Sequence, residues 1–120
     1  MNSECNTAYY SDFIALIGFT GSFIPESAFT AVNQALKDGR KDIVLDLSGA
    51  KRIELSSIMD FAKIKDQVEE SYGRFIISSP PSIFHLLNAS LGDSYKFNVK
   101  EGNREAIRSL NTNVEMQVSA

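Results

Sequence analysis

The sequence predicts an α/β fold: a single domain with a mixed β-sheet of about five strands and helices mainly on one face. Three observations carry this prediction. Short apolar runs such as Ile43-Val44-Leu45 and Phe75-Ile76-Ile77 have the composition of buried strands. Stretches of helix length, with apolar residues three and four apart, lie between them. Connections of that length imply crossovers, and therefore parallel pairing at the sheet centre.

Each element has its own local signal. Residues 8–13 and 14–19 are apolar or aromatic runs that read as two strands, and Thr20-Gly21-Ser22 reads as a turn or strand end. Pro25-Glu26 suits a first helical turn, where proline sacrifices no needed hydrogen bond. Phe29, Val32 and Leu36 then form a core-facing stripe, with Gly39 as the stop. Residues 43–47 are too short for a helix and too apolar for an edge, so they form a central strand. The second helix covers 57–72, with Ile58, Phe61, Ile64, Val68 and Tyr72 on or near one face and Gly73 after it. Residues 74–78 make another buried strand. Pro80-Pro81 breaks the chain and starts a short helix with Ile83, Leu86 and Leu87 inward. Residues 96–99 form the last strand, and 103–110 a short final helix with Ala106, Ile107 and Leu110 apolar. The order is ββαβαβαβα. The domain spans 8–110, between a disordered N-terminus (1–7) and a loose C-terminal tail (111–120).

Composition excludes several classes. The 120 residues suffice for one hydrophobic core without staples. Net charge is −3, and Arg40-Lys41 and Lys51-Arg52 are isolated pairs, so the basic footprint of a nucleic-acid binder is missing. The lone Cys5 cannot form an internal disulfide, which fits a reducing compartment. No stretch approaches the ~20 apolar residues of a membrane span, which argues against direct membrane insertion. Residues 1–7 lack the parts of a signal peptide, so a cytoplasmic location is expected.

The residues also argue against catalysis. With one histidine and one cysteine, neither a Cys-His pair nor the usual metal ligand set is spelled out, and no catalytic residue, cofactor or metal is expected. His85 reads as a partly exposed surface side chain, or a satisfied one, on the short helix. Gly18-Phe19-Thr20-Gly21 lacks the lysine and helix start of a phosphate loop. Asp42 and Asp46 stand about 13 Å apart at ~3.3 Å per residue, too far to share a proton. Asp46 and Glu54 read as a solvated strand-end pair. Ser57 with Asp60 three residues on resembles a capping box, and a serine N-cap is worth about 1 kcal/mol. A helix N-terminus also stabilises an added phosphate, which makes Ser56 and Ser57 candidate phosphorylation sites.

The stretch Asp46-Leu47-Ser48-Gly49-Ala50-Lys51-Arg52-Ile53-Glu54-Leu55-Ser56-Ser57-Ile58 resembles the signature loop of the STAS domain, the fold of bacterial anti-sigma factor antagonists. That family reads Asp-Leu-Ser-Gly, three variable residues, an apolar residue, then Asp-Ser-Ser/Thr-Gly-Leu-Gly. Gly21-Ser22-Phe23 is similar to the family's Gly-Glu-Leu after the second strand. Pro81 with Ile83, Leu87, Leu91 and Gly92 is similar to its third-helix region. The resemblance covers roughly residues 8–110. It implies a non-catalytic regulatory module that binds an anti-sigma factor, often itself a serine kinase, in a complex that phosphorylation of one loop serine breaks.

Aligned without gaps, this chain departs from the pattern at that serine. Leu55 occupies the acceptor position, Glu54 replaces the aspartate, and Ser57 and Met59 replace the two glycines. Ser56 is the nearest remaining hydroxyl. The resemblance therefore implies a partner face of Gly21, Ser22, Glu54, Leu55, Ser56, Ser57, Met59 and Asp60, with Leu55 as anchor of a constitutive contact and Glu54 as the polar specificity element. Its alternatives are a STAS subunit of a larger assembly, such as a phospholipid-transport ABC system, and a small-ligand or nucleotide-binding STAS domain. Tyr9, Tyr10 and Phe13 on the first two strands serve either the core or a homodimer.

Overall fold

The computed structural model describes residues 3–54 and 56–119, for 51, 52 and 112–119 in their backbone alone. In chain order the elements are β1 (Glu4–Tyr9), β2 (Ile14–Ser22), α1 (Pro25–Lys37), β3 (Asp42–Asp46), β4 (Ala50–Arg52), α2 (Ser57–Glu70) and β5 (Phe75–Ser79). A 3-10 turn (Pro81–Ile83), α3 (Phe84–Leu87) and a π-helical turn (Asn88–Asp93) come next, then β6 (Asn98–Glu101) and α4 (Gly102–Ser119). The main sheet has the order β1-β2-β3-β5-β6, and the short β4 pairs with the end of β2. β1 and β2 are antiparallel; every other pairing is parallel. The sheet is therefore mixed, and its central pairings are parallel as the crossover argument requires.

Strand periodicity sends alternate residues to two different layers. Ala15, Ile17, Phe19, Ile43, Leu45, Phe75 and Ile77 join Ala28, Val32 and Ala35 of α1 and Phe61, Ile64 and Val68 of α2 in the main core. Phe84 and Leu87 of α3 pack against the same core. Ile14, Val44 and Ile76 face the other way, onto Ala106 and Leu110 of α4. Helices thus lie mainly on one face, with α4 alone closing the other. The main core carries a relay of edge-to-face rings, Phe19–Phe23 at 5.0 Å, Phe23–Phe61 at 4.9 Å and Phe61–Phe97 at 6.3 Å.

Several boundaries differ from the sequence expectation. β1 begins at Glu4, inside the segment expected to be disordered, and ends at Tyr9. It is a solvent-exposed edge strand, so it shows no buried stripe for periodicity to find. Residues 11–13 form a turn in which Ser11 Oγ accepts from the N–H groups of Phe13 and Ile14. Tyr72 lies beyond α2, 91% exposed with φ +64°, because the helix closes at Glu70. Leu86 is 66% exposed, not inward. The 3-10 and π-helical turns around α3 rotate its face, so Phe84, Leu87 and Leu91 are the side chains that pack. The final helix continues to Ser119 where a loose tail was expected, and no glycine or proline interrupts 103–119.

The hairpin end is clamped to α1. Tyr9 Oη donates to Asp38 Oδ2 at 2.5 Å, and the Arg40 guanidinium lies 3.9 Å over the Tyr9 ring. The Tyr9 hydroxyl, with Gln34 and Arg40 assisting, holds the Asp38 carboxyl below its ordinary value against a desolvation effect. The same bond, with desolvation, raises the Tyr9 phenol. The clamp's contribution is thus present at neutral pH. It is lost as pH falls through the lowered Asp38 value or rises through the raised Tyr9 value.

Phe61→Ala, at the middle of the ring relay, is expected to cost about 3–5 kcal/mol in urea denaturation. Tyr9→Phe is expected to return Asp38 towards the ordinary carboxylate value, read by NMR titration of its side-chain carboxyl.

Candidate functional site

The loops at the C-terminal ends of the parallel strands hold the predicted site residues, the usual location of function in open α/β sheets. β2 bends away from β3 there: its register shifts between Gly21 and Ser22, and both pair with β4 instead. Gly21 has φ +84°, and a side chain would come within 2.7 Å of Ser3 Oγ, which itself accepts from the Ser22 N–H at 3.1 Å. The bulge therefore needs glycine, and it sets Ser22 beside β4, which is reached from β3 by a short loop.

That loop is built on Asp46. Its Oδ1 accepts from Ser48 N–H at 2.9 Å and Ser48 Oγ at 2.6 Å, and its Oδ2 accepts from Asn103 Nδ2 at 2.9 Å. The carboxylate expected to stand solvated beside Glu54 is instead the support of the Ser48-Gly49 turn and its tie to α4. A side chain at Gly49 would sit 2.4 Å from the Phe19 carbonyl oxygen, so this turn also requires glycine. Leu47 is fully buried, and its N–H donates to the Ser78 carbonyl at 3.0 Å. Asp42, at the far end of β3, bonds the Arg74 N–H and guanidinium, so the two aspartates of β3 do separate structural work. The motif Asp46-Leu47-Ser48-Gly49 is a scaffold for the approach to α2.

After β4, Ile53 packs against the core and Glu54 is exposed. The Ser57 N–H donates to the Glu54 carbonyl at 2.9 Å and starts α2. The capping box expected of Ser57 and Asp60 does not form. Ser56 holds the cap position with helical dihedrals (φ −60°, ψ −23°) and makes no side-chain cap bond, while Ser57 is the first helical residue. Ser57 is only 6% exposed, whereas Ser56 is exposed. The two candidate phosphorylation sites are thus unequally accessible.

Ser22, Glu54, Ser56, Ser57 and Asp60 line one open cleft of about 150 Å³, closed at one side by Phe23 and Pro25. Met59 stands beside it, 67% exposed. Gly21 lies behind it as the bulge, and Leu55 falls outside the described residues. Sequence reasoning therefore brought together five side chains that do share one surface. It missed Phe23, met only in the Gly21-Ser22-Phe23 resemblance, and Pro25, a helix start by its sequence, as lining residues, and it missed Asn103, whose bond to Asp46 joins residues 57 positions apart. No local pattern announces such a contact. His85 is exposed on α3, next to Phe84. Among the described residues, no group of three His, Cys, Asp or Glu is placed to hold a metal ion, and no helix is long and apolar enough to cross a membrane.

Asp46→Ala removes three hydrogen bonds to a carboxylate and is expected to cost about 1.5–3 kcal/mol in chemical denaturation. Gly49→Ala is expected to cost about 1–3 kcal/mol through its clash with the Phe19 carbonyl.

No protein-family model and no curated protein sequence matches the chain. Solved structures do. An anti-sigma factor antagonist from Mycobacterium paratuberculosis superimposes with a TM-score of 0.73 over 92% of this chain and 95% of that one, at 12% identity. The anti-sigma factor antagonist SpoIIAA in its unphosphorylated form gives 0.66 over 90% and 98%, at 14% identity. The superpositions take in nearly the whole of each chain at identities too low to speak for anything but architecture, and the chain has the STAS fold.

Proposed function

We propose that this chain is a regulatory module that acts by binding, not catalysis, and that it engages an anti-sigma-factor-type protein, such as a serine kinase, through the rim of the α2 cleft. The observation that carries the proposal is the convergence of Ser22, Glu54, Ser56, Ser57 and Asp60 on one surface beside the exposed Met59. The fold likeness to two anti-sigma factor antagonists points in the same direction. The cleft, at about 150 Å³, is smaller than the ~300–1,000 Å³ of ordinary small-molecule sites, which favours a protein surface over a nucleotide or lipid pocket.

The chemistry of the rim divides the roles. Met59 supplies exposed apolar area next to the cleft, and Leu55 is the apolar anchor that the resemblance implies. Glu54 and Asp60 supply a negative edge that selects a partner of complementary charge. Leu55 in the acceptor position makes the contact constitutive with respect to that residue. Of the two serines, Ser56 is the exposed one, and a phosphate there would set a dianion against Glu54 and Asp60 in the middle of the contact.

The test is affinity capture from native lysate with mass spectrometry, comparing wild type with Met59→Asp, Leu55→Asp and Ser56→Asp. Wild type is expected to recover an anti-sigma-type protein or serine kinase, and each variant at least about tenfold less of it. Equal recovery by all four, or recovery of membrane ATPase subunits in its place, would overturn the proposal. Circular dichroism should show the variants folded, since Met59 and Ser56 are exposed.

A further inference from the structure

The two edges of the sheet are protected very differently. β6, at one edge, is four residues long, carries Lys100 and Glu101, and runs directly into α4. β1, at the other, has six residues, Glu4-Cys5-Asn6-Thr7-Ala8-Tyr9, with no proline, no lysine or arginine and an unbroken register against β2. Among the described residues β1 pairs with β2 alone. It has none of the devices that natural sheets use to blunt an edge, apart from Glu4 at its start.

The hydrogen-bond phase says which groups this edge offers. Tyr10 N–H donates to the Ile14 carbonyl, and bonded and non-bonded pairs alternate along an antiparallel ladder. In the register of the hairpin, Ala8–Leu16, Asn6–Gly18 and Glu4–Thr20 are therefore the bonded pairs. The N–H and C=O groups of Cys5, Thr7 and Tyr9 point outwards. These three residues are symmetric about Thr7. A second β1 brought alongside, antiparallel and related by a two-fold axis through Thr7, sets Thr7 against Thr7, Cys5 against Tyr9 and Tyr9 against Cys5. Every outward group then has a partner, two hydrogen bonds in each of the three pairs.

Parity is satisfied as well, since residues opposite each other stand on the same face of the extended sheet. Side-chain chemistry agrees: Thr–Thr is a favourable cross-strand pair, and Glu4 falls opposite Tyr10, which is 55% exposed, and not opposite its own copy. The two Glu4 side chains stand at opposite ends of the ladder, about 20 Å apart at ~3.3 Å per residue. Phe13, 63% exposed, lies at the same end of the hairpin, and the Tyr9–Asp38–Arg40 clamp holds that end in place. We infer that the free edge of β1 is a self-association surface, and that two copies of this chain join β1 to β1 about Thr7 into one continuous sheet.

The inference is independent of the partner face, because β1 contributes nothing to the α2 cleft. Sedimentation equilibrium of the full chain across a concentration series is expected to show a rise from the 13.3 kDa monomer to twice that mass. Thr7→Lys places two cations in direct opposition at the axis, and is expected to weaken the dimer at least about tenfold. Met59→Asp is expected to dimerise as wild type does. Amide exchange by NMR supplies a test without substitution. The N–H groups of Cys5, Thr7 and Tyr9 should exchange quickly in dilute solution and slowly at high concentration, while those of Asn6 and Ala8 stay protected in both. A mass fixed at the monomer value, or concentration-independent exchange of the three outward amides, would overturn the inference.

Discussion

The structure depends on the burial of β3. Ile43, Val44 and Leu45 are fully buried, which requires neighbours on both sides and helices on both faces. β2 and β5 supply the sides, both in parallel, and parallel pairing requires that each connection return over the sheet. α1 and α2 are those returns, and α4 is the cover that Val44 needs from the other direction. Each crossover brings its loop out at the C-terminal ends of the strands. The face proposed for partner binding is thus a geometric consequence of one buried strand.

Two surfaces of different character result. The loop after β3 is fixed by Asp46, by the Gly49 approach to Phe19 and by the Gly21 bulge, so the cleft rim is carried on a supported turn. The β1 edge begins next to the Gly21 bulge and runs away from it, and what it offers is backbone. In the functions proposed for them, one surface selects a partner by side-chain chemistry and the other accepts a strand by hydrogen-bond phase. Neither excludes occupation of the other.

What was legible in the sequence is what burial makes periodic. The central strands, α1, α2 and the apolar positions of α4 are readable from Ile43-Val44-Leu45, Phe75-Ile76-Ile77 and the three-and-four spacings. β1 was mostly illegible, because Glu4-Cys5-Asn6-Thr7 is polar and exposed, and an edge strand that buries little has no alternation to read. Tyr72 and Leu86 fit a helical stripe on spacing, yet a helix end at Glu70 and a short α3 between irregular turns put both in solvent. Ser57 and Asp60 had the spacing of a capping box, but Ser57 is already the first residue of the helix, one position too late to cap it. The gathering of Ser22 with Glu54 and Asp60 was legible only through the resemblance of the loop, since Ser22 and Asp60 are 38 positions apart in the chain. The Asn103 tie to Asp46 had no signal at all.

The central claim is that recognition takes place on the supported rim at the N-terminus of α2. Hydrogen–deuterium exchange on the chain alone and in complex with its captured protein measures this most directly. The account predicts new protection confined to residues 20–23 and 53–61, with α4 and the outer edge of β1 unchanged. Protection on α4 or along β1, with 53–61 exchanging as in the free chain, would contradict it.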